Sequence, residues 1–147
     1  MSLQERIEGD VKDAMRNKDV LRRDTLRMLV SALKNQRIDK GEDLAESDEI
    51  AVIQKAHKSR MDAAEQYDNA SRPELAEKEK AEAAIIEGYL PQQLNEDEVR
   101  SVVQRLISEL GISEKKEIGK LMKAVMADYK GQVDGKLVQR FAGELLG

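Results

Sequence analysis

Asn95-Glu96-Asp97-Glu98-Val99-Arg100-Ser101-Val102-Val103-Gln104-Arg105-Leu106-Ile107-Ser108-Glu109-Leu110-Gly111 spells out a complete helix. Asn95 with Glu98 three residues later forms the pattern of a capping box, which satisfies orphan amides in both directions. Val99, Val102, Val103, Leu106, Ile107 and Leu110 recur at intervals of three and four, so a helix gathers them on one face. Gly111 then stands where the residue past the last turn often needs positive φ. Start, stripe and stop agree. Upstream, Pro91 lacks an amide donor and disfavours helix in the residue before it, so the polar stretch Gln92-Gln93-Leu94 opens a new block of chain.

Working outward, the same periodicity continues on both sides. Downstream, Ile118, Leu121, Met122, Val125, Met126 and Tyr129 define a sixth helix ended by Gly131, and Leu137, Val138, Phe141 and Leu145 a seventh, closing a three-helix core. Upstream, Leu3, Ile7, Val11 and Met15 form one stripe; Leu26, Leu29 and Leu33 a second; Ile50, Ile53, Met61 and Ala64 a third. Ser2 with Glu5 and Ser71 with Glu74 repeat the capping pattern, Asp19 and Ser47 stand as caps for the second and third helices, and Gly41 with Glu42 to Glu49 reads as the loop between them. The expectation is an all-α protein: an N-terminal four-helix part over residues 1–92, then a small C-terminal three-helix domain over residues 93–147. No internal repeat is visible.

Composition agrees and narrows the chemistry. The 147 residues hold one Phe, three Tyr, no Trp and two Pro, too few sheet-packing residues for an all-β fold. No run reaches the roughly 18 apolar residues of a membrane span, and Met1-Ser2-Leu3-Gln4-Glu5-Arg6 has no apolar signal core. A cytoplasmic protein with no membrane partner is therefore expected. The absence of cysteine removes thiolate catalysis and Cys-ligated metal sites, the single His57 excludes a His-rich one, and the carboxylates are not arranged at ligand spacing. Neither a metal nor a cofactor is expected.

Several charges fall on apolar faces. Arg22 lies near Leu26, Leu29 and Leu33 on the second helix; His57 lies within the third stripe, with Arg60 beside it near Tyr67; Glu79 and Glu82 share a face with Leu75, Ile86 and Tyr89 on the fourth. Partly buried charges persist when paired and hydrogen-bonded. One reading is an acid–base site in which Glu79 or Glu82 orients His57. The favoured one is a structural ion-pair network of Arg22, His57, Arg60, Glu79 and Glu82 with no catalytic residue, because catalysis also needs a pocket and an electrophile-stabilising group that the sequence does not show.

Two basic stripes run opposite apolar faces. Arg23, Arg27, Lys34 and Arg37 lie within about 80° on the second helix in a stripe that no acid shares, and Lys116, Lys120, Lys123 and Lys130 lie within about 80° on the sixth. Lys130-Gly131-Gln132-Val133-Asp134-Gly135-Lys136 adds Lys136 and two glycines that could admit a phosphate, although the Walker spacing and hydroxyl are missing. The formal net charge is −4. Screening over about 8 to 10 Å still lets a local cationic ridge attract a polyanion. With Tyr67, Tyr89, Tyr129 and Phe141 all at apolar positions, no stacking platform for unpaired bases is offered, so structured RNA contacted at phosphate and sugar is the better fit.

Several segments together carry a resemblance: Thr25-Leu26-Arg27-Met28-Leu29; Lys58-Ser59-Arg60-Met61-Asp62-Ala63-Ala64-Glu65-Gln66-Tyr67; Arg72-Pro73-Glu74-Leu75-Ala76-Glu77-Lys78-Glu79; Tyr89-Leu90-Pro91-Gln92-Gln93-Leu94; Gly119-Lys120-Leu121-Met122-Lys123; and Lys130 to Lys136. Over essentially the entire chain they resemble the YqeY-like proteins. The unit is also similar to the tail of the B subunit of glutamine-dependent aspartyl/glutamyl-tRNA amidotransferase and to an appendage on some glutaminyl-tRNA synthetases.

The resemblance implies an all-α fold with a small three-helix C-terminal part, and a link to tRNA. In the amidotransferase, amide transfer from glutamine and its ATP-dependent activation occur in parts this chain does not contain. The family's association with carbon–nitrogen ligase activity therefore implies no catalysis by these residues. Positions matching the family's segments are Gly119, Lys120, Lys130, Gly131, Asp134, Gly135 and Lys136. With Lys116 and Lys123 they form the expected RNA-binding set. The expected partners are tRNA and an amidotransferase or aminoacyl-tRNA synthetase; the alternative is a protein–protein interaction module that binds no RNA.

Overall fold

The computed structural model describes residues 2–146, and all its regular elements are helical, in agreement with the expected class. The described residues form α1 (Leu3–Arg16), α2 (Val20–Lys40), α3 (Glu46–Asn69), α4 (Pro73–Glu87), α5 (Glu96–Leu110), α6 (Ile118–Asp128) and α7 (Gly135–Leu146), with a 3-10 turn at Lys115–Glu117 leading into α6. Among these residues no helix is long and apolar enough to cross a membrane. The chain separates into two compact units, Met1–Leu90 and Pro91–Gly147.

In the first unit α1 packs chiefly on α2, and α3 on α4. Ile7, Leu26, Leu29, Leu33, Ile53, Ile86 and Tyr89 form its core. Full burial of each large aliphatic side chain contributes about 1.5 to 3 kcal/mol. Along α3 and α4 the buried residues include Ala64, Ala76 and Ala83, whose small side chains let helices approach closely. The apolar stripes are trimmed at their edges: Met15 is 51% exposed and Met61 44%, because each sits at the margin of its helix's buried arc.

Capping follows the sequence at three starts and departs at two. The Ser2 hydroxyl accepts from the Glu5 amide at 3.1 Å and the Asp19 carboxylate from the Arg22 amide at 3.1 Å. Asn95 accepts from the Glu98 amide at 2.8 Å while Glu98 accepts in return from the Asn95 amide, completing the capping box. Ser47, however, lies inside α3, whose first turn is closed by Asp48 accepting from the Ala45 amide at 3.0 Å. Ser71 does not cap α4. It takes a left-handed conformation, φ 59°, in the turn, and Pro73 supplies the first helical residue.

Glu49 departs further from its expected loop. It is 5% exposed within α3, and its carboxylate accepts from the Gln4 amide at 3.0 Å, so one helix supplies the anionic cap of another.

The second unit closes on Val99, Val103, Leu106, Leu121, Val125, Val138 and Phe141 from its three helices, with Ile112 and Val133 supplied by the connections. Gly111 ends α5 at φ 65°, as its place after the stripe suggests. Leu110 and Leu145 are exposed rather than part of this core, since both lie in the last turn of their helices.

Candidate nucleic-acid interface

Leu121 and Val125 are fully buried, which rotates Gly119, Lys120, Lys123 and Ala127 on α6 toward solvent. This exposed face holds two lysines rather than four. The 3-10 turn changes the phase before α6, placing Lys116 outside the regular helix, where its ammonium lies 3.0 Å from Glu114. Lys130 follows the C-cap Tyr129 and belongs to the connection. The expected four-lysine stripe is thus divided among three local structures, because the 100° step per residue holds only within α6.

Free charge on this unit nevertheless segregates by residue type. Its three arginines are all engaged. Arg100 lies 3.3 Å from Glu144 and Arg140 3.4 Å from Glu96, with both guanidiniums over the Phe141 ring at 4.4 and 4.9 Å. Arg105 meets Glu109 at 3.2 Å and donates to the Tyr129 hydroxyl at 2.8 Å; the Glu109 carboxylate raises its already high pKa. Lys115, Lys120, Lys123, Lys130 and Lys136 are exposed and form no ion pair among the described residues. The unit thus offers unpaired ammonium groups, whereas its half-exposed guanidiniums are paired and the Phe141 ring is buried.

The segment between α6 and α7 has a local structural explanation. Gly131 is buried at φ 80°, a conformation that favours glycine, and its carbonyl accepts from the Gln93 side-chain amide, which also donates to the Pro91 carbonyl at 3.0 Å. The Leu94 amide donates to the Gln132 carbonyl at 2.9 Å. Asp134 accepts from the Lys136 amide at 3.0 Å at the start of α7. At Gly135 a side chain would bring Cβ to 3.4 Å from Met122 Cε, so the position packs against α6. Gly131, Asp134 and Gly135 therefore build the segment that displays Lys130 and Lys136. Gly119 is different: the space beside it is open.

In the first unit the charges on apolar faces meet other partners than the acid–base reading required. Arg60 Nε lies 3.0 Å from Glu82 and 3.8 Å from Glu79, all three side chains being largely buried. His57 faces neither of those carboxylates but Glu87, at 3.8 Å. Arg22 donates to the Tyr89 hydroxyl at 3.2 Å, and Tyr89 donates to Asp10 at 2.5 Å. Burial, reinforced by the Asp10 carboxylate, pushes the Tyr89 phenol well above its ordinary pKa. Sequence reasoning missed Asp10, although helical spacing places it between Ile7 and Ala14 on the buried side of α1, the signal that singled out Arg22.

The α2 stripe is partly neutralised. Arg23 pairs with Asp24 at 2.9 Å and Lys34 with Glu8 of α1 at 3.9 Å; Arg27 lies against the Met15 sulfur at 3.5 Å, and Arg37 forms no ion pair among the described residues. The interrupting acids come from a neighbouring position and from a second helix, so the stripe's own spacing could not show them.

An all-helical chain of two units, the second an arginine-stapled three-helix core with free lysines, is the class of protein defined here. The family model described as Yqey-like protein matches residues 4–146, and the chain belongs to that family. Its relatives include proteins named "Altered inheritance of mitochondria protein 41, mitochondrial". That of Pyrenophora tritici-repentis is 30% identical over 97% of this chain and 80% of its own length. That of Lachancea thermotolerans is 37% identical over 71% of this chain and 57% of its own, and that of Meyerozyma guilliermondii 36% over 57% and 44%. The match thus spans about half the length of the latter two. The relatives' names place them in mitochondria, which overturns the cytoplasmic expectation; hydropathy of the opening residues was too weak a guide to location.

Proposed function

We propose that this chain is a non-catalytic tRNA-binding or tRNA-enzyme accessory module, with its RNA contact on the second unit at Lys120, Lys123, Lys130 and Lys136. The observation behind this reading is the sorting of cations there: the arginines in half-exposed intramolecular pairs, and five of the six lysines, all but Lys116, outward and without an ion pair among the described residues. Ammonium groups on flexible stems suit phosphate oxygens, while the internally engaged Phe141 and Tyr129 leave little for unpaired bases to stack on. The resemblance to the tail of the amidotransferase B subunit adds a reason to choose tRNA and a tRNA-modifying or charging enzyme as partners. Against acid–base chemistry at His57 stands its separation from Glu79 and Glu82, both held by Arg60.

The test is tRNA binding as a function of salt. Each phosphate contact removed flattens the log–log slope by roughly 0.7 to 0.9, so Lys120→Ala with Lys123→Ala weakens binding and lowers the slope together. Absence of binding even at low salt rejects the reading.

A further inference from the structure

The first unit is electrically divided. Residues 2–40, spanning α1 and α2, hold ten basic and seven acidic side chains, whereas residues 41–90 hold six basic and thirteen acidic. On the basic pair of helices sit three half-exposed apolar side chains: Met15 at 51%, Val20 at 54% and Met28 at 52%. Single exposed apolar residues are ordinary; here helical spacing puts Val20, Arg27 and Met28 on the outer arc of α2, with Asp24, paired with Arg23 at 2.9 Å, between them. Arg27 extends from α2 to the Met15 sulfur at 3.5 Å, its neighbour Met28 touches Arg60 of α3 at 3.4 Å, and Val20 lies two helical turns before Arg27 on the same side of α2. Lys12, one turn before Met15, and Lys18, in the connection before Val20, are exposed and, like Arg27, form no ion pair among the described residues.

We propose that the α1–α2 surface around Met15, Val20, Arg27 and Met28 docks an acidic amphipathic helix of a partner protein. The charge of the occupant follows from Lys12, Lys18 and Arg27, which form no ion pair among the described residues while Asp13 and Asp24 are paired with Arg16 and Arg23, and its apolar face from Met15, Val20 and Met28. Methionine adapts its unbranched chain to a helix laid across it, and Arg and Met are enriched where protein partners meet. A lipid surface calls for a broader apolar face than three half-exposed side chains provide, and a phosphate backbone gains nothing from them. This site is independent of the RNA reading, which concerns the other unit.

The test uses the full chain with 13C-methyl methionine, because Met15 and Met28 report from the patch and Met61 of α3 from outside it. The probe is a synthetic helical peptide of about 18 residues with glutamates on one face and leucines on the other; the same peptide with lysines for glutamates is the control. Saturable shifts of the Met15 and Met28 methyls with the acidic peptide alone, weakened about tenfold by Met28→Glu and by Arg27→Glu, are expected. Both substitutions are at exposed positions, and circular dichroism checks that helix content is kept; Val20→Glu replaces either one that fails. Equal response to the lysine peptide, or no saturable shift at these methyls, overturns the proposal. So do shifts that appear with concentration alone, with tRNA or with anionic vesicles in place of the acidic peptide, which would assign the patch to a second copy, to RNA or to lipid.

Discussion

Arg60 Nε donates to Glu82 Oε2 at 3.0 Å, and the two side chains are only 14% and 15% exposed, so α3 and α4 are joined through a charge pair removed from most of the solvent. Removing Arg60 leaves two largely buried carboxylates, Glu82 and Glu79, without their cation, and removing Glu82 leaves Arg60 only the longer contact to Glu79 at 3.8 Å. Arg60→Met or Glu82→Leu alone is therefore expected to lower unfolding stability by about 2 to 3 kcal/mol, whereas the two substitutions combined cost markedly less than the two single losses added together. Urea denaturation of the four proteins in the double-mutant cycle measures this. Additive losses would show that the pair does not couple the helices.

Tyr89 ties Asp10 of α1 and Arg22 of α2 to the residue just beyond α4. Tyr89→Phe leaves two charged groups without the hydroxyl between them and is expected to cost about 1 to 3 kcal/mol. The pH dependence has a definite sign. The phenol's folded pKa lies above its ordinary value of 10.0, so the neutral form is favoured by folding. Its stabilisation is complete below that ordinary value and is lost as pH rises beyond it toward the folded pKa. Stability of the native chain should fall more steeply above pH 10 than that of Tyr89→Phe, measured by urea melts at stepped pH, while absorbance at high pH shows one tyrosine titrating late.

Ser71 holds φ at 59°, a conformation that costs a non-glycine residue about 1 to 2 kcal/mol. Glycine removes that cost at the expense of greater freedom in the unfolded chain. Ser71→Gly is thus expected to raise stability by up to about 1 kcal/mol, read as a higher urea midpoint with an unchanged slope. Destabilisation would show that Ser71 has a helix-starting role after all.

Gly131 and Lys120 separate structure from binding in the second unit. With φ at 80°, Gly131→Ala should destabilise by about 1 to 2 kcal/mol. Lys120→Ala, at an exposed position without an ion pair among the described residues, should change stability by less than about 0.5 kcal/mol while weakening tRNA binding. Thermal melts paired with binding at one salt concentration check both. A stability loss at Lys120 as large as at Gly131 would count against an outward-facing role for that lysine.

Local signals were legible wherever the deciding atoms lie within a few residues. The Asn95–Glu98 box, the Ser2 and Asp19 caps and the positive φ of Gly111 all follow from neighbours in the chain. The same confinement explains the failures. A 3-10 turn shifts the phase of Lys116, and the sequence pattern of Ser71 fits a cap equally well whether or not the turn bends into the left-handed region. On α2, the expectation of an uninterrupted cationic stripe could not include Glu8, which arrives from α1.

Periodicity and capping act over one or two turns, and from them alone follow the helical class, the place of most helix starts and stops, and which charges need partners. Tertiary structure alone decided who those partners are: Glu87 for His57, Glu82 and Glu79 for Arg60, Tyr89 and Asp10 for Arg22. It also decided which lysines remain free. Pairing depends on distances between helices far apart in the chain, and an ammonium a few ångströms from a carboxylate behaves differently from one in water.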